Sequence, residues 1–300
     1  MLLKKWLLLL LLLASPLLFY QGAVYAKDKG KEKGKDRDNL RVVSLAPNLT
    51  EIAYAIGAEE MLVGVTDFCD YPEAAKKKEK VGGMATPSLE AMVRLKPHVV
   101  LVNSDGNPKE IANKLKSLKI KMHVFRATRV AALSEEILKM AKVFQSEKIT
   151  ANALELTKKM ESDLKGIKEE SAKRKRQGNV DAKKAIFLIW HSPLIAAGKG
   201  TIIDDALKLT HLKNIAESSL SSYPRFSLEA ILRENPDYIF IGKGHSFSIA
   251  EESVLREKLK ATKAAKQGKI FFVSDRLYRA GPRVIEGISE LGKCLGQNSS

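Results

Sequence analysis

The sequence predicts an α/β protein of two Rossmann-like lobes with parallel sheets, joined by one long backbone helix and leaving a ligand cleft between them. Three observations carry this. The phrase "SLEAMVRLKPHVVLV" at residues 88–102 returns as "SLEAILRENPDYIFI" at 227–241, displaced by 227 − 88 = 139 positions. From Val130 to Gln177 there is no proline and one glycine, Gly166, while Ile149, Ala153, Leu156, Met160, Leu164 and Ile167 recur at helical spacing. Short apolar runs without polar alternation, such as "VVLV" and "YIFI", suit strands buried on both faces of a parallel sheet.

Residues 1–26 place Lys4 and Lys5 before a leucine run and end in "AVYA", the layout of a cleavable secretory signal, with cleavage expected after Ala26. Residues 27–40, "KDKGKEKGKDRDNL", are too charged and too poor in apolar side chains to pack and form a flexible tether. The N-terminal lobe, 41–130, opens with the strand-like "LRVVSLA" and the helical pattern "LTEIAYAIG". It continues through the strand "MLVGVT", the loop "DFCDYP", a short helix, and the repeated phrase with Ser88 as cap and Leu89, Met92 and Val93 as buried face. A helix from about Pro108 and the strand "KMHVFR" close it.

Residues 131–182 form the helical connection, a helix to about Phe144 and then one of about 30 residues spanning roughly 45 Å. The C-terminal lobe, 183–296, repeats the first half's order. It runs through strand "AIFLIW", loop "HSPLIAAGKG", helix "TIIDDALKL", loop "SSYPRF" and the repeated phrase. A helix near Glu251 to Thr262, strand "KIFFVS", loop "DRLYRAGP" and a helix from Pro282 follow, with 297–300 as a tail. Open α/β sheets place ligands at the carboxyl ends of their strands, so two such lobes enclose a cleft there.

The net charge of +16 falls to 16 − 2 = +14 once Lys4 and Lys5 leave with the signal. In a cytosolic protein this would suggest nucleic acid, but export removes that reading, and the charge lies in solvated blocks at 27–38 and 173–178. With no cysteine near the signal junction, no lipid anchor is expected, and the mature chain is a soluble periplasmic monomer. Cys69 and Cys294 lie far apart in a two-lobed chain and are expected to be free thiols.

No catalytic constellation is visible. "AAGKGT" at 196–201 lacks the upstream glycine of a phosphate-binding loop, no G-x-S-x-G elbow occurs, and the five histidines stand singly. The loops after the strands are richer. They carry Phe68 and Tyr71, Trp190 and His191, Tyr223 and Arg225, and Asp275, Tyr278, Arg279 and Arg283. Aromatic planes with a few guanidinium and carboxylate groups suit a large, flat or polyamide-bearing ligand. Glu90 and Glu229 occupy equivalent places in the repeat. They either complement a helix dipole or present one exposed acidic knob per lobe to a symmetric partner.

On "RVVSLAPNLTEIAYAIGA", "VGVTDFCDYP", the two copies of the repeated phrase and "SDRLYRAGPR", the chain resembles the class III periplasmic binding proteins that serve ABC importers, in the cobalamin and iron-siderophore group. The resemblance runs from about Arg41 to Leu295. It implies a protein without cofactor, resident metal or enzymatic activity that captures a ligand and hands it to a membrane permease. Carried over by position, Glu90 and Glu229 are the docking glutamates, and Phe68, Tyr223, Asp275 and Arg279 fall where the cobalamin-binding members place pocket residues; Tyr71 and Trp190, from the loops after the strands, are expected to face the ligand with them. A corrinoid such as cobalamin is the ligand the resemblance implies first. The chain departs from the cobalamin-binding pattern where "MAT" (84–86), Asn103 and Tyr223 replace expected tryptophans, which keeps a ferric siderophore or haem as alternatives. A chelatase-like metal-dependent enzyme and a zinc or manganese receptor are weaker rivals, since both need convergent histidines.

Overall fold

The computed structural model describes residues 40–177, 183–243 and 248–296, so the signal 1–26, residues 27–39 of the tether 27–40, the tail 297–300 and His245 lie outside the described residues. The first lobe holds β1 (Val42–Ser44), α1 (Pro47–Ala55), β2 (Leu62–Val65), α2 (Leu89–Arg94), β3 (Val99–Asn103), α3 (Lys109–Ser117) and β4 (Lys121–Phe125). Its four strands are all parallel, in the order β2-β1-β3-β4. After α4 (Leu133–Ala141) comes α5 (Glu147–Arg176), a single helix of 30 residues. The second lobe holds β5 (Lys184–His191), β6 (Leu194–Ala196), α6 (Ile202–Leu209), β7 (Lys213–Asn214), α7 (Leu228–Glu234) and β8 (Tyr238–Gly242). The chain then runs through α8 (Ile249–Leu259), α9 (Lys263–Lys266) and β9 (Ile270–Val273) to α10 (Val284–Gly296).

The two-lobed α/β architecture with its long connecting helix is therefore what the sequence predicts, with three differences of detail. Residues 194–196, expected in a loop, pair antiparallel with the end of β5 through the turn at Ser192–Pro193, so the second sheet, β6-β5-β8-β9 with β7 also on β5, is mixed. Three residues are too few for strand periodicity to register. The short helix after "DFCDYP" is a tight 3₁₀ turn at Glu73–Lys77. Val93, expected on the buried face of α2, is 44% exposed. In so short a helix the core side is filled at a spacing of three by Leu89, Met92 and Leu95, which turns Val93 about 100° away from Met92.

Strand side chains alternate between the two faces of each sheet. On the inner faces Val42, Leu101, Ala185, Phe187, Tyr238 and Phe240 join one core that also takes in Ile149, Met160 and Leu164 of α5. The outer faces pack separately, Val43, Val100 and Val102 in the first lobe and Ile186, Leu188, Ile239 and Ile241 in the second. One apolar core thus runs from lobe to lobe through the long helix. That helix begins at a Ser146 cap whose Oγ accepts from the Ile149 amide, and it ends in Lys173, Arg174, Lys175 and Arg176, which suit the negative end of its dipole. Each end is fastened to one lobe. Asn152 Nδ2 donates to the Ile56 carbonyl of the first at 3.0 Å, and Ser171 Oγ to the Leu209 carbonyl of the second at 2.8 Å.

Gly287 of α10 is required by close approach. A Cβ there would lie 2.7 Å from the Leu277 nitrogen and 2.8 Å from its Cα, in the turn that follows β9 and carries Asp275 and Arg279. Gly287→Ala is expected to cost about 1–3 kcal/mol of stability, read as a lower denaturant midpoint. An unchanged midpoint would mean that the turn yields without strain.

Candidate ligand cleft

The loop after β2 is held from beneath by Cys69. Cys69 is 1% exposed, its sulfur lies 3.1 Å from both Thr50 Oγ1 and Thr66 Oγ1, and Thr50 Oγ1 donates onward to Ser44 Oγ at 2.8 Å. Burial pushes the thiol's pKa up, against the smaller lowering effect of the two threonine hydroxyls. Cys69 is thus a packed neutral anchor, unbonded to Cys294, and pointing it inward leaves Phe68 and Tyr71 exposed. Asn107 ties the neighbouring loops together: its Nδ2 donates to the carbonyls of Leu45 and Met84, and its Oδ1 accepts from the Asn103 amide.

On the second lobe, Trp190 sits at the end of β5, 48% exposed, with Nε1 donating to the Ser192 carbonyl at 2.9 Å. His191 beside it is braced by Glu251 Oε1 at 2.8 Å from its Nε2. Glu251 also closes the cap of α8 with Ser248. Tyr278 lies over Gly242 and donates to the Lys243 carbonyl at 3.2 Å, and burial with nearby Asp275 pushes its phenol up to about 12.

Polar bridges cross between the lobes, and two of them take in side chains expected to face the ligand. Tyr223, half-buried, donates its hydroxyl to Asp105 Oδ2 at 2.5 Å, and burial followed by the Asp105 charge raises the phenol's pKa strongly. The second bridge is larger. Arg279 Nη1 reaches Glu51 Oε1 at 2.9 Å and Asp70 Oδ1 at 2.6 Å, while its Nη2 meets Asp275 Oδ2 at 2.7 Å. Arg283 forks onto Glu51, Nε to Oε2 at 2.9 Å and Nη2 to Oε1 at 2.7 Å, and lies 4.0 Å over the Tyr71 ring. Close by, Asn48 Nδ2 donates to the Ala280 carbonyl at 3.1 Å.

The sequence-predicted site is therefore divided. Phe68 and Trp190 are exposed aromatics at the carboxyl ends of strands in opposite lobes. Tyr71 turns toward a recess of about 290 Å³ that it lines with Arg283 and with Leu156 and Met160 of the long helix. Arg279, expected to hydrogen-bond a ligand, is 8% exposed, and its donors are directed at three carboxylates. Asp275 is drawn into the same cluster. The groups that sequence reasoning missed are Glu51, Asp70, Asp105 and Asn107. A carboxylate inside the apolar run "LTEIAYA" was the one signal for Glu51, which is 3% exposed. Glu90 and Glu229 are both exposed in first helical turns, and neither pairs with a cation among the described residues. No group of three metal-ligating side chains occurs among the described residues.

A sequence profile described as periplasmic binding protein matches residues 42–277. An uncharacterized ABC transporter substrate-binding lipoprotein of Bacillus subtilis is 31% identical over 86% of this chain and 81% of its own length. A vitamin B12-binding protein of Photorhabdus laumondii is 28% identical over 87% of this chain and 90% of its own. Among solved structures, the periplasmic vitamin B12 binding protein of Vibrio cholerae superposes with a TM-score of 0.76 at 23% identity, covering 86% of this chain and 97% of that one. A periplasmic heme-binding protein of Roseiflexus, in apo form, gives 0.75 at 21% identity, with 86% and 98% covered. At these identities the superpositions speak for the fold.

Proposed function

Since the chain belongs to the periplasmic binding protein family, in the class that serves ABC importers, we propose that it captures a corrinoid such as cobalamin and delivers it to a membrane permease. The observation that carries the ligand is the match, along nearly the whole described chain, to relatives named for vitamin B12 binding. The cleft chemistry supports it. Exposed Phe68 and Trp190 offer flat apolar faces on opposite lobes, and Tyr223 and Asp105 offer polar groups for an amide-rich periphery. Asp275, Arg279 and Tyr71 serve the ligand indirectly, by fixing how the lobes sit. Capture needs no bond making, and the protein acts as a soluble periplasmic monomer.

Closure on the ligand is small, because one core and several polar bridges already join the lobes. Affinity then comes from a preformed pocket. Haem or a ferric siderophore is the second reading, favoured by a tyrosine oxygen at the cleft. The raised phenol pKa of Tyr223 beside Asp105 opposes the phenolate that iron ligation needs.

Delivery is assigned to Glu90 and Glu229, one exposed carboxylate per lobe facing basic sockets on the permease. Uptake of labelled cyanocobalamin tests both halves of the proposal. Cells lacking the chain should lose high-affinity uptake, and the wild-type gene should restore it. The Glu90→Ala, Glu229→Ala double variant should fail to restore it while binding ligand with unchanged affinity. Uptake unaffected by loss of the chain would contradict the ligand, and lost affinity in the double variant would contradict the separation of roles.

A further inference from the structure

Helices α2 and α7 match in geometry as well as in sequence. Ser88 Oγ accepts from the Ala91 amide at 3.2 Å and Ser227 Oγ from the Ala230 amide at 3.1 Å. Lys96 and Asn235 leave the two helices in the same left-handed conformation, with φ of 45° and 46°. What each helix shows to solvent also matches. Val93, 44% exposed, stands three residues after Glu90, and Leu232, 36% exposed, stands three residues after Glu229. Residues three apart share a helix face. Among the exposed large apolar side chains of the described residues, these two are the pair related by the 139-residue repeat. Leu220 and Ile249, more exposed, fall opposite buried Val81 and charged Glu110.

We propose that each docking knob is amphipathic, with Val93 beside Glu90 and Leu232 beside Glu229 packing on apolar side chains that ring the basic sockets of a two-fold symmetric permease. The inference rests on the docking role of the two glutamates and adds the contact that gives it strength. A carboxylate meeting a cation in water gains little, because both ions stay solvated and salt screens them. An aliphatic side chain on the same face excludes that water and adds apolar burial of its own. Two equal patches, one in each half of a single chain, fit a partner whose receiving surface is itself repeated by a two-fold axis.

The test is the binding of fluorophore-labelled protein to cytoplasmic membranes of its own host, prepared from cells deleted for the native copy. Vesicles of the host's lipids serve as the control for adsorption of a chain this basic. The Val93→Ser, Leu232→Ser double variant should keep the wild-type melting temperature and lose about tenfold or more in saturable binding. The exchange Val93→Leu, Leu232→Val should bind like wild type. If the serine variant binds like wild type while Glu90→Ala, Glu229→Ala loses saturable binding, docking stands and the apolar contact is overturned. If both double variants bind like wild type, docking by these helices fails and the proposal with it.

Discussion

Replacing Arg279 with alanine is expected to lower the stability of the protein by about 3–5 kcal/mol, because it strips a buried cluster of its central cation. Arg279 is 8% exposed, and its guanidinium answers Glu51 and Asp70 from the first lobe and Asp275 from its own. With Arg283 the cluster sets two cations against three carboxylates; without Arg279 one cation faces three. The carboxylates then lose hydrogen-bond donors that water, excluded from the site, cannot replace. For a chain of this size the loss should appear as a fall of roughly 10 °C in melting temperature. Arg279→Lys should recover less than half of it, since one ammonium cannot span the fork that reaches three partners. Since the cluster crosses the cleft, the variant should also bind ligand more weakly and show greater lobe motion in hydrogen exchange around Glu51. A melting temperature within a degree or two of wild type would show that the Arg279 cluster does not hold the lobes together.

The second large effect is on the ligand. Phe68→Ala with Trp190→Ala should weaken corrinoid binding by roughly a hundredfold or more, since buried aromatic anchors carry most of a binding energy. Stability should hardly change, because both rings are about half exposed in the unliganded protein. The contrast with Arg279 is diagnostic: the aromatic variant loses ligand and keeps its fold, whereas the arginine variant loses stability first. Affinity within a few-fold of wild type would remove both rings from the ligand site.

How much of this was legible beforehand depends on the range of the interaction. The βα order and the long helix are local, written in apolar spacing and in proline and glycine placement, so the 30-residue helix and both lobes could be read directly. The repeat at 139 residues is a pattern within the chain and likewise visible. The exposed aromatics Phe68 and Trp190 were legible because they stand in or beside the loops that follow parallel strands. The lobe-joining cluster was not, because its partners lie 209 to 232 residues apart and no local pattern pairs Glu51 with Arg279 and Arg283. Arg279 was therefore read as a ligand-facing cation, and only the fold shows its donors engaged. The Tyr223 to Asp105 bridge, 118 residues apart, was hidden for the same reason. Cys69 was read only as a free thiol; its packing against the hydroxyls of Thr50 and Thr66, which anchors the loop that presents Phe68, needed the fold.

The account is tested most directly at Trp190. Trp6 lies in the predicted signal, so a chain beginning at Lys27 contains Trp190 as its single tryptophan, and that residue is half exposed at the end of β5. Its emission should be titrated with cyanocobalamin, cobinamide, haemin and a ferric hydroxamate, with Trp190→Phe plus free tryptophan correcting for ligand absorbance. Saturable quenching by the corrinoids at micromolar or lower concentration is the predicted result. Saturation by haemin or the ferric hydroxamate without a response to either corrinoid, or no response to any of them, would contradict corrinoid capture in this cleft.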